Sequence, residues 1–188
     1  RDDETSRGLG DAYKRQSLNG LFLAFQYPIE LPGVTNASYL KQIVNAHRKS
    51  RKETPIDAGE FLKILKEKSK LLDIPMDMHS RFVNAGFSGG EKKKNEVLQM
   101  DLLNPSLIIM DETDSGLDVD ALKTTADAIN KLRNDERSFI IITHYLRLLE
   151  YIEPDYVHVF QNGSVIETGD KTLASRIDQE GYLSLIHI

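Results

Sequence analysis

The chain has 188 residues, 28% of them charged and 40% hydrophobic, with a formal net charge of −5 and no cysteine. That length suits one domain with a sizeable core. The acidic balance argues against a nucleic-acid surface, and no apolar run nears the roughly eighteen residues of a membrane span. The polar start lacks the apolar region of a signal peptide, and the absence of cysteine excludes disulfides and thiolate metal sites within these residues and suits a reducing cytosol.

Residues 1–19 carry four basic and four acidic side chains without an apolar period, and are expected to form a disordered or foreign tail. Gly10-Asp11-Ala12-Tyr13-Lys14-Arg15-Gln16 and the terminal Leu183-Ser184-Leu185-Ile186-His187-Ile188 resemble translated adapter sequence, so residues 183–188 are also expected to lie outside the domain. Leu21-Phe22-Leu23-Ala24-Phe25 reads as a strand ending at Gln26, and Pro28, Pro32 and Gly33 predict a loop. Apolar spacing predicts a helix over 38–49. Asp57 and Glu60 form a capping-box pattern for a second helix reaching Leu72, and Pro75 ends it. A third helix is expected from Ser88 to about Leu103, broken by Asn104-Pro105. A strand over 107–110, a loop, a helix capped by Asp118 and running to Leu132, and a strand over 138–143 follow. The unbroken apolar run of that last strand predicts a parallel sheet covered on both faces. A helix over about 146–152 and a strand over 155–161 come next. Asn162-Gly163 then signals a hairpin with residues 164–168 pairing back. The alternation of strands and helices predicts an α/β fold with a mostly parallel sheet and an inserted helical subdomain over about 36–103.

The chemistry sits where predicted strands meet loops. Ser88-Gly89-Gly90-Glu91 reads equally as a capping box or as an anion site, where two glycines bare the amides of a helix N-terminus. Asp111 and Glu112 follow four apolar residues at the carboxyl end of a strand, where open α/β sheets bind ligands. Adjacent strand residues face opposite ways, so the two carboxylates are expected to do different work; a pair of solvated loop acids is the plain alternative. For Asp114-Ser115-Gly116-Leu117-Asp118 the plain reading is a turn with an Asp N-cap. Residue His144 stands at the end of the next strand, sharing that sheet edge. Lys92-Lys93-Lys94 reads as a solvated basic face. No G-x-x-x-x-G-K-[ST] loop, the usual phosphate cradle, occurs in the 188 residues.

In order, Gln26, Ser88-Gly89-Gly90-Glu91, Asp111-Glu112, Ser115-Gly116-Leu117-Asp118 and His144 resemble the Q-loop, signature motif, Walker B carboxylates, D-loop and H-loop of ATP-binding cassette (ABC) ATPases. The wider strings narrow the resemblance: Phe25-Gln26-Tyr27-Pro28, Phe87-Ser88-Gly89-Gly90-Glu91-Lys92-Lys93-Lys94-Asn95-Glu96, Asp111-Glu112-Thr113-Asp114-Ser115-Gly116-Leu117-Asp118, and Thr143-His144-Tyr145. Over about residues 20–182 the chain resembles the ATPase subunit of the Suf iron–sulfur cluster assembly system, without the first part of the fold that carries Walker A.

That resemblance implies a soluble ATPase using ATP and Mg²⁺. Asp111 would hold Mg²⁺, with Gln26 touching the metal or the attacking water. Glu112 would orient or deprotonate that water, and His144 would contact the γ-phosphate. Ser88, Gly89, Gly90 and Glu91 would close over nucleotide held by a second copy, with Ser115, Gly116 and Asp118 crossing the homodimer interface. Partners would be a SufB/SufD-type scaffold, contacted around residues 28–48, in the cytoplasm or the plastid stroma, with no nucleic acid and no membrane insertion. Two other functions fit the same motifs: the nucleotide-binding subunit of an ABC transporter, and a non-catalytic docking module without a P-loop.

Overall fold

A computed structural model of the chain describes residues 2–143 and 146–180. Its first element is a helix, α1 (Asp2–Leu18), and not the disordered tail expected from composition. Its polar faces are largely exposed from Gly10 onward, so little apolar burial accompanies it. Gly20, at φ +94°, turns the chain into β1 (Leu21–Ala24), whose Ala24 is fully buried.

The segment expected to be a loop around Pro32 and Gly33 forms β2 (Leu31–Thr35), paired antiparallel with the two-residue β3 (Phe82–Val83). The register slips between Leu31 and Thr35, which accommodates Pro32 and Gly33 outside the ladder. Between these strands lie α2 (Asn36–Ser50), α3 (Ala58–Leu71) and a 3₁₀ turn (Met76–Ser80). Asp57 caps α3, accepting from the amides of Gly59 at 2.7 Å and Glu60 at 2.9 Å. Leu40, Phe61, Leu65, Met78, Phe87 and Leu98 join in one buried cluster beneath these helices.

The chain then enters α4 (Gly89–Leu103), closed by Asn104 at φ 49°. β4 (Leu107–Asp111) runs parallel to β1 on one side and to β5 (Ser138–Ile142) on the other, giving the order β1-β4-β5. α5 (Val119–Leu132) covers one face of this sheet and contributes Leu122, Ala126 and Ile129 to the second cluster, with Ile108 and Met110 of β4. α4 lies between the two clusters, giving Val97 and Met100 to one and Leu98 to the other. β5 is parallel as expected but not covered on both faces: Ile140 and Ile142 are 50% and 48% exposed. It is also an edge strand of the sheet, and the face of its apolar run that carries Ile140 and Ile142 meets no covering layer among the described residues.

A 3₁₀ turn (Leu146–Glu150) stands where a longer helix was expected. β6 (Val157–Gln161) and β7 (Ser164–Gly169) form the anticipated hairpin, with Asn162 and Gly163 both at positive φ. α6 (Lys171–Glu180) follows. No helix among the described residues is long and apolar enough to cross a membrane.

Candidate functional site

Parallel pairing of β1 with β4 brings the residues after both strands to one edge of the sheet. There the Gln26 amide Nε2 donates to Glu112 Oε2 at 2.8 Å, linking positions 86 residues apart. Asp111 closes β4 with its side chain exposed. Glu112 is not a continuation of the strand: its backbone sits at φ 45°, while its amide still donates to Ile142 O at 2.9 Å. The expectation that strand alternation separates the two carboxylates is therefore replaced by a turn at Glu112. Left-handed backbone at a non-glycine carboxylate costs energy, and such residues gather at functional sites.

Beyond the turn, Ser115 donates its amide to Glu112 O, and Gly116 adopts φ +74° with open space where a Cβ would lie. Asp118 spends its carboxylate as the N-cap of α5, accepting from Ala121 N at 2.8 Å. Buried Asp114 accepts from Thr143 Oγ1 at 2.6 Å, tying this loop to the end of β5. His144 lies outside the described residues.

Ser88 and Glu91 complete a capping box. Glu91 N donates to Ser88 Oγ at 3.2 Å, and Ser88 N donates to Glu91 Oε2 at 2.7 Å. That backbone donor, with the Arg81 guanidinium 3.0 Å away, holds the Glu91 carboxyl below its usual range. Arg81 also donates to Gly86 O at 2.6 Å and lies 4.5 Å over the Phe87 ring. It fastens the approach to the helix, a role that no motif marks in the sequence. The capping box accounts for Ser88 and Glu91 but not for the glycines. Neither has positive φ. A Cβ on Gly89 would lie 3.7 Å from Leu117 Cδ2, and one on Gly90 3.4 Å from Ala121 Cβ, which are ordinary contacts. Packing in this chain thus requires neither glycine, whereas close approach of an external anion to the first-turn amides would. The same distances set this helix end beside Gly116 and Leu117.

The solvated-face reading of Lys92-Lys93-Lys94 is corrected. Lys92 pairs with Glu30 at 2.8 Å and Lys94 with Asp73 at 3.5 Å. Lys93 is buried, 2.9 Å from Glu96 Oε2 and 3.0 Å from Phe25 O. Burial pushes the Glu96 carboxyl up against the opposing pull of Lys93. Nothing in a charge run at this spacing distinguishes the inward lysine from its neighbours.

The residues present fit part of a nucleotide–magnesium site. Among the described residues no group of three or more His, Asp or Glu could hold a metal by itself. A single exposed carboxylate, Asp111 at the carboxyl end of β4, is instead the kind of oxygen ligand that Mg²⁺ takes, since that ion keeps waters and shares phosphate oxygens. The cradle for the remaining phosphates is not in these 188 residues.

No family model matches the chain. It is 52% identical over 163 residues to the "Probable ATP-dependent transporter SufC" of Escherichia coli (strain K12), covering 87% of this chain and 66% of that protein. It is 51% identical over 169 residues to the "Probable ATP-dependent transporter ycf16" of Trieres chinensis, covering 90% of this chain and 67% of that one. The "Iron-sulfur cluster assembly protein SufC" of Plasmodium falciparum (isolate 3D7) is 48% identical over 167 residues, 89% of this chain and 48% of its own length. The chain thus spans about two-thirds or less of these relatives. Among solved structures, an ATP-binding subunit of an ABC transporter superposes with a TM-score of 0.69 at 22% identity, over 95% of this chain and 72% of that one. The dimeric structure of a bacterial ABC transporter cassette gives 0.69 at 16% identity, over 86% and 67%. These likenesses bear out the α/β cassette fold, and with the identities above the chain belongs to the SufC/ycf16 family of ATP-binding cassette ATPases.

Proposed function

We propose that this chain supplies the signature, Walker B and Q-loop part of an ATPase that drives iron–sulfur cluster assembly on a SufB/SufD-type scaffold. The observation that carries the reading is the 2.8 Å contact between Gln26 and Glu112 at the carboxyl ends of adjacent parallel strands. An amide and a carboxylate joined in this way support the reading that they hold a water attacking a phosphate. Glu112 orients or deprotonates that water, and Gln26 fixes the carboxylate. Asp111 offers the oxygen for Mg²⁺, which when bound neutralises charge on the phosphate oxygens. Gly89 and Gly90 present helix amides to the γ-phosphate on a second copy, with Ser88 and Glu91 fixing the helix end. Ser115, Gly116 and Asp118 shape the loop beside it, and His144 completes the γ-phosphate contacts.

The test is ATP turnover by the product of the complete natural reading frame, compared with its Glu112→Gln variant. Loss of the carboxylate is expected to cost about 100-fold or more in kcat. Turnover unchanged in that variant would remove Glu112 from the chemistry. A polypeptide of these 188 residues alone, without a phosphate cradle, is expected to hydrolyse ATP very slowly. The E. coli relative is named a probable transporter, which favours a transporter subunit as the second reading. Co-purification with a SufB/SufD-type scaffold, as against a membrane partner, separates the two.

A further inference from the structure

The ion pair of Lys93 and Glu96 is almost wholly buried, the two side chains 4% and 8% exposed. Such a pair contributes little net stability, because desolvation of both charges offsets their attraction, and an apolar pair of similar volume does as well. Its presence on α4 therefore calls for something that it holds. The Lys93 ammonium donates to Phe25 O at 3.0 Å as well as to Glu96. The Phe25 backbone amide in turn favours the charged form of the Glu96 carboxylate. Both partners thus address the residue immediately before Gln26. Four residues on, Ile29 O accepts from Asn84 Nδ2 at 2.8 Å, and Asn84 in turn accepts from Asn95 of α4 at 3.1 Å. Between these anchors Tyr27 is 75% exposed. The segment carrying Gln26 is consequently held to α4 on both sides and is otherwise open.

We infer that Lys93 and Glu96 are positioning residues for ATP hydrolysis: by gripping the Phe25 peptide they fix the backbone from which Gln26 reaches Glu112. The inference rests on the proposed role of Gln26 and Glu112 in that reaction. It also makes α4 the physical link between the helix end at Ser88 and the carboxylate at the sheet edge, since one helix carries both the glycines and the grip.

The test is steady-state kinetics on the product of the complete natural reading frame, with Lys93→Met, Glu96→Gln and the double variant K93M/E96M, each with and without Gln26→Ala. Misplacement of Gln26 is expected to lower kcat about tenfold while KM for ATP stays within about twofold. In the Gln26→Ala background the same substitutions are expected to have no further effect. The double variant leaves no unpaired buried charge, so it carries the test if Lys93→Met does not fold. Hydrogen exchange supplies a second reading: the amides of Gln26 and Tyr27 are expected to exchange faster in K93M/E96M, with β4 unchanged. Equal losses of kcat with and without Gln26, or unchanged exchange at Gln26 and Tyr27, overturn the positioning role. If Glu112→Gln and Gln26→Ala themselves leave turnover intact, the hydrolytic reading fails. If those two abolish turnover while the Lys93 and Glu96 variants act independently of Gln26, the hydrolytic reading stands and only the grip is refuted.

Discussion

His79 is buried in the 3₁₀ turn with its Nε2 2.8 Å from Ser69 Oγ and its Nδ1 3.3 Å from Asn36 Nδ2. Asn36 Nδ2, which also donates to Asn95 Oδ1 at 2.8 Å, can only donate, so Nδ1 accepts and the ring is neutral when folded. Burial lowers its pKa, against a smaller opposing pull from Asp77. The sign follows directly: below about 6.5 the unfolded imidazole takes up a proton that the folded one refuses. The unfolded state then binds more protons, and stability falls as pH drops from about 6.5 towards the lowered folded value. His47, also lowered by burial, adds to the same slope. Urea midpoints measured from pH 7.5 to 5 (about 0.5 apart) are expected to fall, and His79→Gln is expected to flatten that fall while leaving the part due to His47. An equal slope in the variant would mean that this imidazole stays neutral in neither state or in both. At the same scale, the Gln26–Glu112 contact was not derivable from sequence. Each residue was recognisable by its place after a strand, but their meeting depends on β1 pairing with β4 across 86 residues.

The helices divide by what they bury. α5 puts Leu122, Ala126 and Ile129 on one face, and its limits at Asp118 and Leu132 were legible from that period and its cap. α4 has no such stripe, because both its sides meet a core, and Lys93, Asn95, Glu96 and Gln99 are buried with Val97 and Leu98. Its start was legible only through Ser88 and Glu91, and its inward lysine was not legible at all. β2 was hidden because Pro32 and Gly33 speak for a loop, and only the irregular register against β3 accommodates them. The capping box at Ser88 allows structure and chemistry to be separated. Ser88→Ala is expected to cost about 1 kcal/mol of stability. Ser88→Asp keeps a side-chain acceptor for the Glu91 amide, a carboxylate in place of the hydroxyl, and is expected to retain most of the stability. Its charge, however, stands where an anionic phosphate is proposed to approach, so ATP turnover by the complete protein is expected to be lost. Full turnover in Ser88→Asp would remove the anion from this helix end. The lowered Glu91 pKa gives this cap an acid limit: its contribution is present above the usual carboxylate range and is lost as pH falls through the lowered folded value.

Across the whole molecule, the order β1-β4-β5 leaves β5 at an edge of the sheet, with Ile140 and Ile142 half exposed and Phe139 and Ile141 turned to the core. The sequence pattern there, four consecutive apolar residues, predicts burial on both faces. What periodicity cannot reveal is whether the covering layer lies within the same 188 residues. Among the described residues it does not, so an apolar edge strand without proline, lysine or a bulge stands open there, a template for pairing with another chain. A polypeptide of these residues is accordingly expected to self-associate through β5. Size-exclusion chromatography with light scattering should show oligomers that grow with concentration. The double substitution Ile140→Lys and Ile142→Lys, on the exposed face and away from the core, should shift the distribution towards monomer with far-ultraviolet circular dichroism preserved. A monodisperse monomer before substitution would show that the edge is already protected, and an oligomer insensitive to the substitutions would move the contact elsewhere, to the exposed Tyr27 and Ile29 or to Phe160 and Val165 of the hairpin.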